Sequence, residues 1–120
     1  MTIPDMIRAF CQELGIPGHT ETVMNGYNDG SVNIVTIERA GAIAGLAGYI
    51  IKGNEAHAEI LYVVPQHRRS RVAYDLYEKT HLSAKEKGCI RAVLFTKKER
   101  AKMYSRHGYQ EDYVLMSREL

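Results

Sequence analysis

Residues 55–96 constrain the fold of this chain more than any other stretch. An apolar run over 55–65 stops at Pro65. A basic loop follows, Gln66-His67-Arg68-Arg69-Ser70-Arg71. Residues 70–87 then read as a helix, with Val72, Ala73, Leu76, Tyr77, Thr80 and Ala84 at helical spacing and Gly88 as its C-terminal stop. Next comes a nearly continuous apolar run over 89–96, Cys-Ile-Arg-Ala-Val-Leu-Phe-Thr, consistent with a buried strand. Pro65 cannot donate to a ladder, so the first strand ends there. Strand, helix and strand in this order form a βαβ unit. Its two strands are expected to be parallel and joined by a right-handed crossover.

The loop of that unit has chemical meaning of its own. The first N–H groups of a helix lack intrahelical partners, and the helix dipole favours negative charge there. Arg68, Arg69 and Arg71 lie in the loop and first turn, where Asp or Glu is normally preferred. A bound phosphate explains cations in that place; a solvated basic surface is the plainer alternative. Lys97 and Lys98 repeat the pattern before the next helical segment, 98–107.

Elsewhere the pattern is simpler. Residues 5–14 read as a helix, with Met6, Ile7, Phe10 and Leu14 on one side and Gly15 ending it. Residues 16–30 are polar and glycine-rich and leave two readings open, a short helix near 21–24 or loop throughout. Residues 31–39 and 42–51 are strands joined at Ala40-Gly41, a hairpin, with a second turn at Gly53-Asn54. Residues 113–118 read as a last strand. The sheet is therefore mixed, with helices on its faces.

Composition excludes several classes. The 120 residues fit one domain, and the formal net charge of +2 does not call for nucleic acid. No apolar run approaches the roughly 20 residues that a membrane helix needs. Residues 1–5 lack a basic flank and an apolar block, so a signal peptide is not expected. Cys11 and Cys89 read as buried free thiols in a reducing, cytoplasmic compartment. The histidines form no ligand spacing, and no metal is expected.

The order of elements resembles the GNAT superfamily of acetyl-CoA-dependent N-acetyltransferases. Three pieces carry the likeness. Leu61-Tyr62-Val63-Val64-Pro65 is similar to the strand that pairs with the pantetheine arm. Arg68-Arg69-Ser70-Arg71-Val72-Ala73 is similar to the Arg/Gln-x-x-Gly-x-Gly/Ala pyrophosphate loop. Tyr104-Ser105-Arg106-His107-Gly108-Tyr109 is similar to the Tyr-x-x-x-Gly-Phe segment near the family's C-terminus. Two positions depart from the pattern: Arg71 replaces the loop's first glycine, and Lys97 stands where the family often has a polar residue such as Asn. The stretch 65–71 also resembles a GNAT subgroup encoded by tailed bacteriophages and prophages.

The resemblance implies an α/β (α+β) GNAT-like fold over residues 1–120: a mixed, mostly antiparallel sheet with a central parallel strand pair and helices on both faces. It implies direct attack of an amine, from a small molecule or a protein, on acetyl-CoA in a ternary complex. The coenzyme would be held by Val63 and Val64 of the strand, by Arg68, Arg69, Ser70, Arg71, Val72 and Ala73 of the loop, and by Lys97. An N–H at Val63 or Val64 would polarise the carbonyl. Tyr104 would hydrogen-bond the leaving sulfur, or else simply pack between helix and sheet. Glu59 would be the base, directly or through water, or else an ordinary exposed strand residue, with His57 the weaker candidate. Strict alternation puts Glu59, Leu61 and Val63 on one face with His57, opposite Ile60 and Tyr62. Tyr49, Tyr62 and Tyr109 either line an acceptor groove or belong to the core. The runner-up is a GNAT-fold interaction protein, a homo-oligomer or a virion component; a nucleic-acid module using the arginines and lysines ranks last.

Overall fold

The computed structural model describes residues 1–112 and 116–120. Helix α1 (Ile3–Glu13) starts at a capping box, in which the Asp5 N–H donates to Thr2 Oγ1 and the Thr2 N–H donates to the Asp5 carboxylate, both at 3.2 Å. It ends at Gly15, whose φ of 69° suits the left-handed stop. After a 3₁₀ turn (Pro17–His19), helix α2 spans Thr20–Asp29, longer than its sequence signals. Only a narrow stripe, Val23 and Gly26 with the half-buried Met24 and Tyr27, meets the core, so the helix is polar nearly all round.

Strands β1 (Asn33–Arg39), β2 (Ala42–Lys52) and β3 (Glu55–Val63) form an antiparallel meander. The β1–β2 turn has φ of 53° at Ala40 and 78° at Gly41, the paired positive values of a hairpin turn that matches strand twist. Helix α3 (Val72–Glu86) crosses back to β4 (Arg91–Val93), which pairs in parallel with β3 and closes the order β1-β2-β3-β4. A 3₁₀ turn (Lys98–Arg100) and the five-residue helix α4 (Ala101–Ser105) follow. The sheet is thus mixed and the β3–β4 pair parallel, as the sequence implies. The expected last strand begins on residues 113–115, outside those described.

The two faces of the sheet are covered separately. Ala44, Leu46, Ile60 and Tyr62 pack against Met6 and Ile7 of α1 and Val23 of α2. Val35, Ala47, Tyr49 and Ala56 pack against Leu76 and Ala84 of α3, and the Tyr49 hydroxyl reaches Ser83 Oγ at 2.7 Å. Among the described residues no helix is long and apolar enough to cross a membrane.

Two sequence expectations are corrected here, and both shape the site. First, β4 has three paired residues, Arg91–Val93 opposite Glu55–His57, rather than a strand over 89–96. Beyond His57 the strands part, so residues 94–96 have no ladder, and Ile90 and Phe95 are 74% and 81% exposed. Second, β3 does not alternate strictly. Tyr49 pairs with Ala58 and Gly48 with Ile60, which leaves Glu59 as the extra residue of a bulge. The bulge puts His57, paired with Ile50, on the face of Ile60 and Tyr62, and away from Leu61 and Val63.

Candidate active site

Where β3 and β4 diverge, a groove of about 670 Å³ opens through the sheet. Phe10, Glu13, Leu14 and Ile16 line it from the α1 side, residues 58–63 of β3 form one wall, and Tyr77, Thr80 and His81 of α3 line it from the other face. Residues 92–97 form the opposing wall, closed by Arg100, Met103, Tyr104 and Tyr109. The shared end of the two strands is held by ion pairs: Arg91 reaches Glu55 at 3.4 Å and also pairs with Asp112, while His57 Nε2 lies 3.2 Å from Glu55.

The β3 wall offers unpaired backbone. The Val64 N–H donates to the Ala44 carbonyl at 2.9 Å. Antiparallel ladders alternate the direction of their polar groups, so the Val63 N–H and carbonyl turn the other way, toward the groove. Of the two donors that the resemblance implies, Val64 is engaged by β2, and among the described residues Val63 has no acceptor. The Val63 carbonyl accepts from Arg68 Nε at 2.9 Å.

At the end of β3 a 3₁₀ turn (Pro65–His67) leads into the loop before α3. Arg69 has φ of 60°, which bends the chain toward the helix start. Ser70 Oγ donates to the His67 carbonyl and accepts the Val72 N–H at 3.3 Å, capping one of the orphan groups. Among the described residues the N–H groups of Arg69, Ser70, Arg71, Ala73 and Tyr74 have no acceptor. Five unpaired donors in the loop and first turn of a 15-residue helix suit an anion.

The arginines divide. Arg68 donates to Glu13 Oε2 at 2.8 Å and lies over the Tyr62 ring, 5.3 Å from its centroid, so it ties the loop to α1. Arg71 has φ of −79°, a conformation open to any residue, so glycine is not required for the backbone there. Its guanidinium lies 4.5 Å from the Tyr74 ring centroid and 3.4 Å from Asp75 Oδ1, 73% exposed and clear of the loop amides. Arg69 is exposed beside them. Lys97 lines the groove at the start of the Lys98–Arg100 turn.

Tyr104 sits in α4 on the groove wall. Its ring meets Tyr77 and Tyr109 edge-on, each with centroids 5.9 Å apart. Tyr77 carries the one buried side-chain polar atom without a partner among the described residues, its hydroxyl. Burial, then the neighbouring Tyr104, hold that phenol far above its ordinary pKa. Tyr109 is pushed up to about 12 by burial and by Tyr104, and its hydroxyl lies 2.7 Å from His81 Nε2. Burial lowers the pKa of His81, with the nearby His107 acting in the same direction and Glu78 against it. Tyr49 and Tyr62 also line the groove while their bulk stays in the core.

Glu59 lines the groove from the bulge, and its Oε2 lies 3.4 Å from His19 Nε2 in the turn before α2. Sequence reasoning missed His19, Glu13 and the groove-facing Tyr77. The first lies in the segment left undecided, the second reads as an exposed helix end, and the third reads as core.

The fold is similar to a putative acetyl transferase from Pyrococcus furiosus (TM-score 0.76, 16% identity, covering 98% of this chain and 94% of that one). It is similar to glucosamine-6-phosphate N-acetyltransferase from Arabidopsis thaliana (TM-score 0.68, 19% identity, 98% and 88% covered). It also resembles the aminoglycoside N-acetyltransferase AAC(6')-Iy in complex with the bisubstrate analogue CoA-S-monomethyl-acetylneamine (TM-score 0.70, 19% identity, 98% and 91% covered). At these identities the likeness establishes the fold. No curated protein sequence matches the chain. The family model described as acetyltransferase (GNAT) domain matches residues 30–111, more than half of the sequence, and the chain belongs to that family.

Proposed function

We propose that this protein transfers the acetyl group of acetyl-CoA to an amine by direct attack in a ternary complex. The observation that carries the reading is that the open edge of β3 lines the groove and runs, past the groove-lining Arg68, straight into the loop and first turn of α3, where five amides are unpaired. The amides suit a diphosphate and the open edge an extended amide-bearing arm. Ala73 leaves the helix start uncrowded, Arg69 adds charge beside it, and Lys97 is placed for a further phosphate. The AAC(6')-Iy relative binds CoA in its solved structure, which supports the same use of the groove here.

Bound acetyl-CoA supplies an activated acyl group whose carbonyl accepts the amine and whose sulfur departs. The chain's own groups then have defined tasks. The Val63 N–H donates to developing negative charge on the carbonyl oxygen; one such preorganised donor is worth about 2.7–4 kcal/mol of barrier. Glu59, directly or through water, takes the proton that an ammonium must lose before its nitrogen can attack. Tyr104, on the groove wall, hydrogen-bonds the sulfur through its O–H as the C–S bond breaks. The balance is one N–C bond formed, one C–S bond broken, a proton gained by sulfur and one released to solvent. The open groove favours catalysis over a purely structural or virion role.

Calorimetric titration with acetyl-CoA tests the reading. Saturable binding is expected, with a rise in melting temperature; ligand at about 100 times its Kd stabilises by about 2.7 kcal/mol. No heat of binding and no thermal shift at millimolar acetyl-CoA would refute it.

A further inference from the structure

Resting on the acetyltransferase reading, we infer that the acceptor is a small primary amine with a single positive charge on an apolar body. The α1 side of the groove carries two carboxylates, Glu13 and Glu59. Glu13 is neutralised by the Arg68 guanidinium at 2.8 Å. Glu59 has no arginine or lysine within ion-pair distance among the described residues. Its Oε2 faces His19, and among the described residues its Oε1 has no donor. The Glu59 side chain is 21% exposed, so an ammonium bound to it is partly shielded from water, where a charge-assisted hydrogen bond is strongest.

Apart from His19 and the Glu13–Arg68 pair, this side of the groove is lined by hydrocarbon. Leu14 and Ile16 flank Gly15, line the same groove, and are 45% and 40% exposed. Phe10 and Ile60 continue the wall. Half-exposed large aliphatic side chains at the mouth of a groove gain by covering, and the apolar body of an amine would cover them. One available carboxylate fits one cation. A polycationic acceptor would leave its other charges against Leu14 and Ile16. An acceptor bearing its own phosphate would face Glu59 and the already paired Arg68 on this side, with the groove's other cations, Lys97 and Arg100, on the opposite wall.

The experiment has two arms, each with acetyl-CoA binding measured separately by calorimetry, so that loss of the coenzyme reading is seen on its own. In the first, coenzyme A-saturated protein is titrated with 2-phenylethylamine, spermidine and glucosamine 6-phosphate. 2-Phenylethylamine is expected to bind at least about tenfold more tightly than the other two. In the second, Glu59→Gln is expected to weaken 2-phenylethylamine about tenfold, and Ile16→Asn to weaken it several-fold, while both keep wild-type affinity for acetyl-CoA. The Ile16 variant also separates body recognition from proton transfer, since in acetyl-CoA turnover it is expected to raise KM with little change in kcat. Preference for spermidine or the sugar phosphate, acetylation of a peptide N-terminus but not of 2-phenylethylamine, or unchanged amine affinity in Ile16→Asn would each overturn the inference.

Discussion

Gly48→Ala is a sharp test of how the groove is built. A Cβ at this position would lie 2.6 Å from Ile60 Cγ2, 2.8 Å from Val32 Cγ1 and 3.4 Å from Ile34 Cδ1. Carbon atoms pack best at about 3.5–4.0 Å, so the first two contacts are closer than that by roughly 1 Å. Ile60 and Val32 are buried and β-branched, with few rotamers to escape into. Overpacking of this kind costs about 1–3 kcal/mol, while replacing glycine in a strand returns about 0.5–1 kcal/mol. The net expectation is a loss of about 1–2 kcal/mol. Gly48 also sits at the register shift that makes Glu59 the extra residue, so strain there reaches the base. Urea unfolding is expected to show a lower midpoint at unchanged slope. Gly18→Ala is the control: nothing lies within 4 Å of its Cβ position, and a gain of about 0.4–1 kcal/mol is expected from the restricted unfolded chain. A Gly48→Ala protein as stable as wild type, with the control behaving as stated, would mean the β2–β3 bulge is not held by this close approach.

Ala73→Asp places a carboxylate among the free amides of the loop and first turn of α3; the helix start tolerates it, so the melting temperature is expected to hold while acetyl-CoA affinity measured by calorimetry falls at least about a hundredfold. Tyr104→Phe is expected to lower kcat about a hundredfold in a thiol-release assay with acetyl-CoA binding unchanged; equal losses of both would make Tyr104 a packing residue. Spectrophotometric titration should find at least two tyrosines, Tyr77 and Tyr109, still protonated when ordinary phenols have ionised near about pH 10. Their neutral forms are favoured by the fold, so the stability they contribute is full below about pH 10 and is lost as pH rises toward 12 and beyond, which alkaline melting curves would show. His81 acts at the other end: its pKa is depressed by burial, so its contribution is present above about pH 6.5 and is lost as acid protonates it, seen as a falling melting temperature below that value.

The candidate site was legible wherever its chemistry is local. Pro65, the arginine loop and the apolar face of 72–84 announce a strand, a turn and a helix start, and the free amides follow from helix geometry alone. Tyr104 was singled out through the likeness of residues 104–109 to the family's Tyr-x-x-x-Gly-Phe segment, and only the structure puts it on the groove wall. The rest was hidden because it depends on contacts between distant segments. His19 lies in a segment with weak periodicity, and its approach to Glu59 spans 40 positions of sequence. Arg68 reads as a phosphate ligand, yet it lies across α1 because Glu13 and the Tyr62 ring happen to be within its reach.

By itself, the sequence determined α1, the β1–β2 hairpin, β3 and α3 and their order, though not α2, because capping residues, glycines at positive φ and apolar periodicity act within a few residues of themselves. The tertiary structure alone decided that β4 would pair over three residues and then part from β3, and that the β3 bulge would swing Glu59 out of strict alternation. Those outcomes belong to the packing of two helical layers on one twisted sheet, where side chains such as Ile60 and Val32 compete for the space above Gly48. No local pattern records that competition, and the groove exists only once it has been resolved.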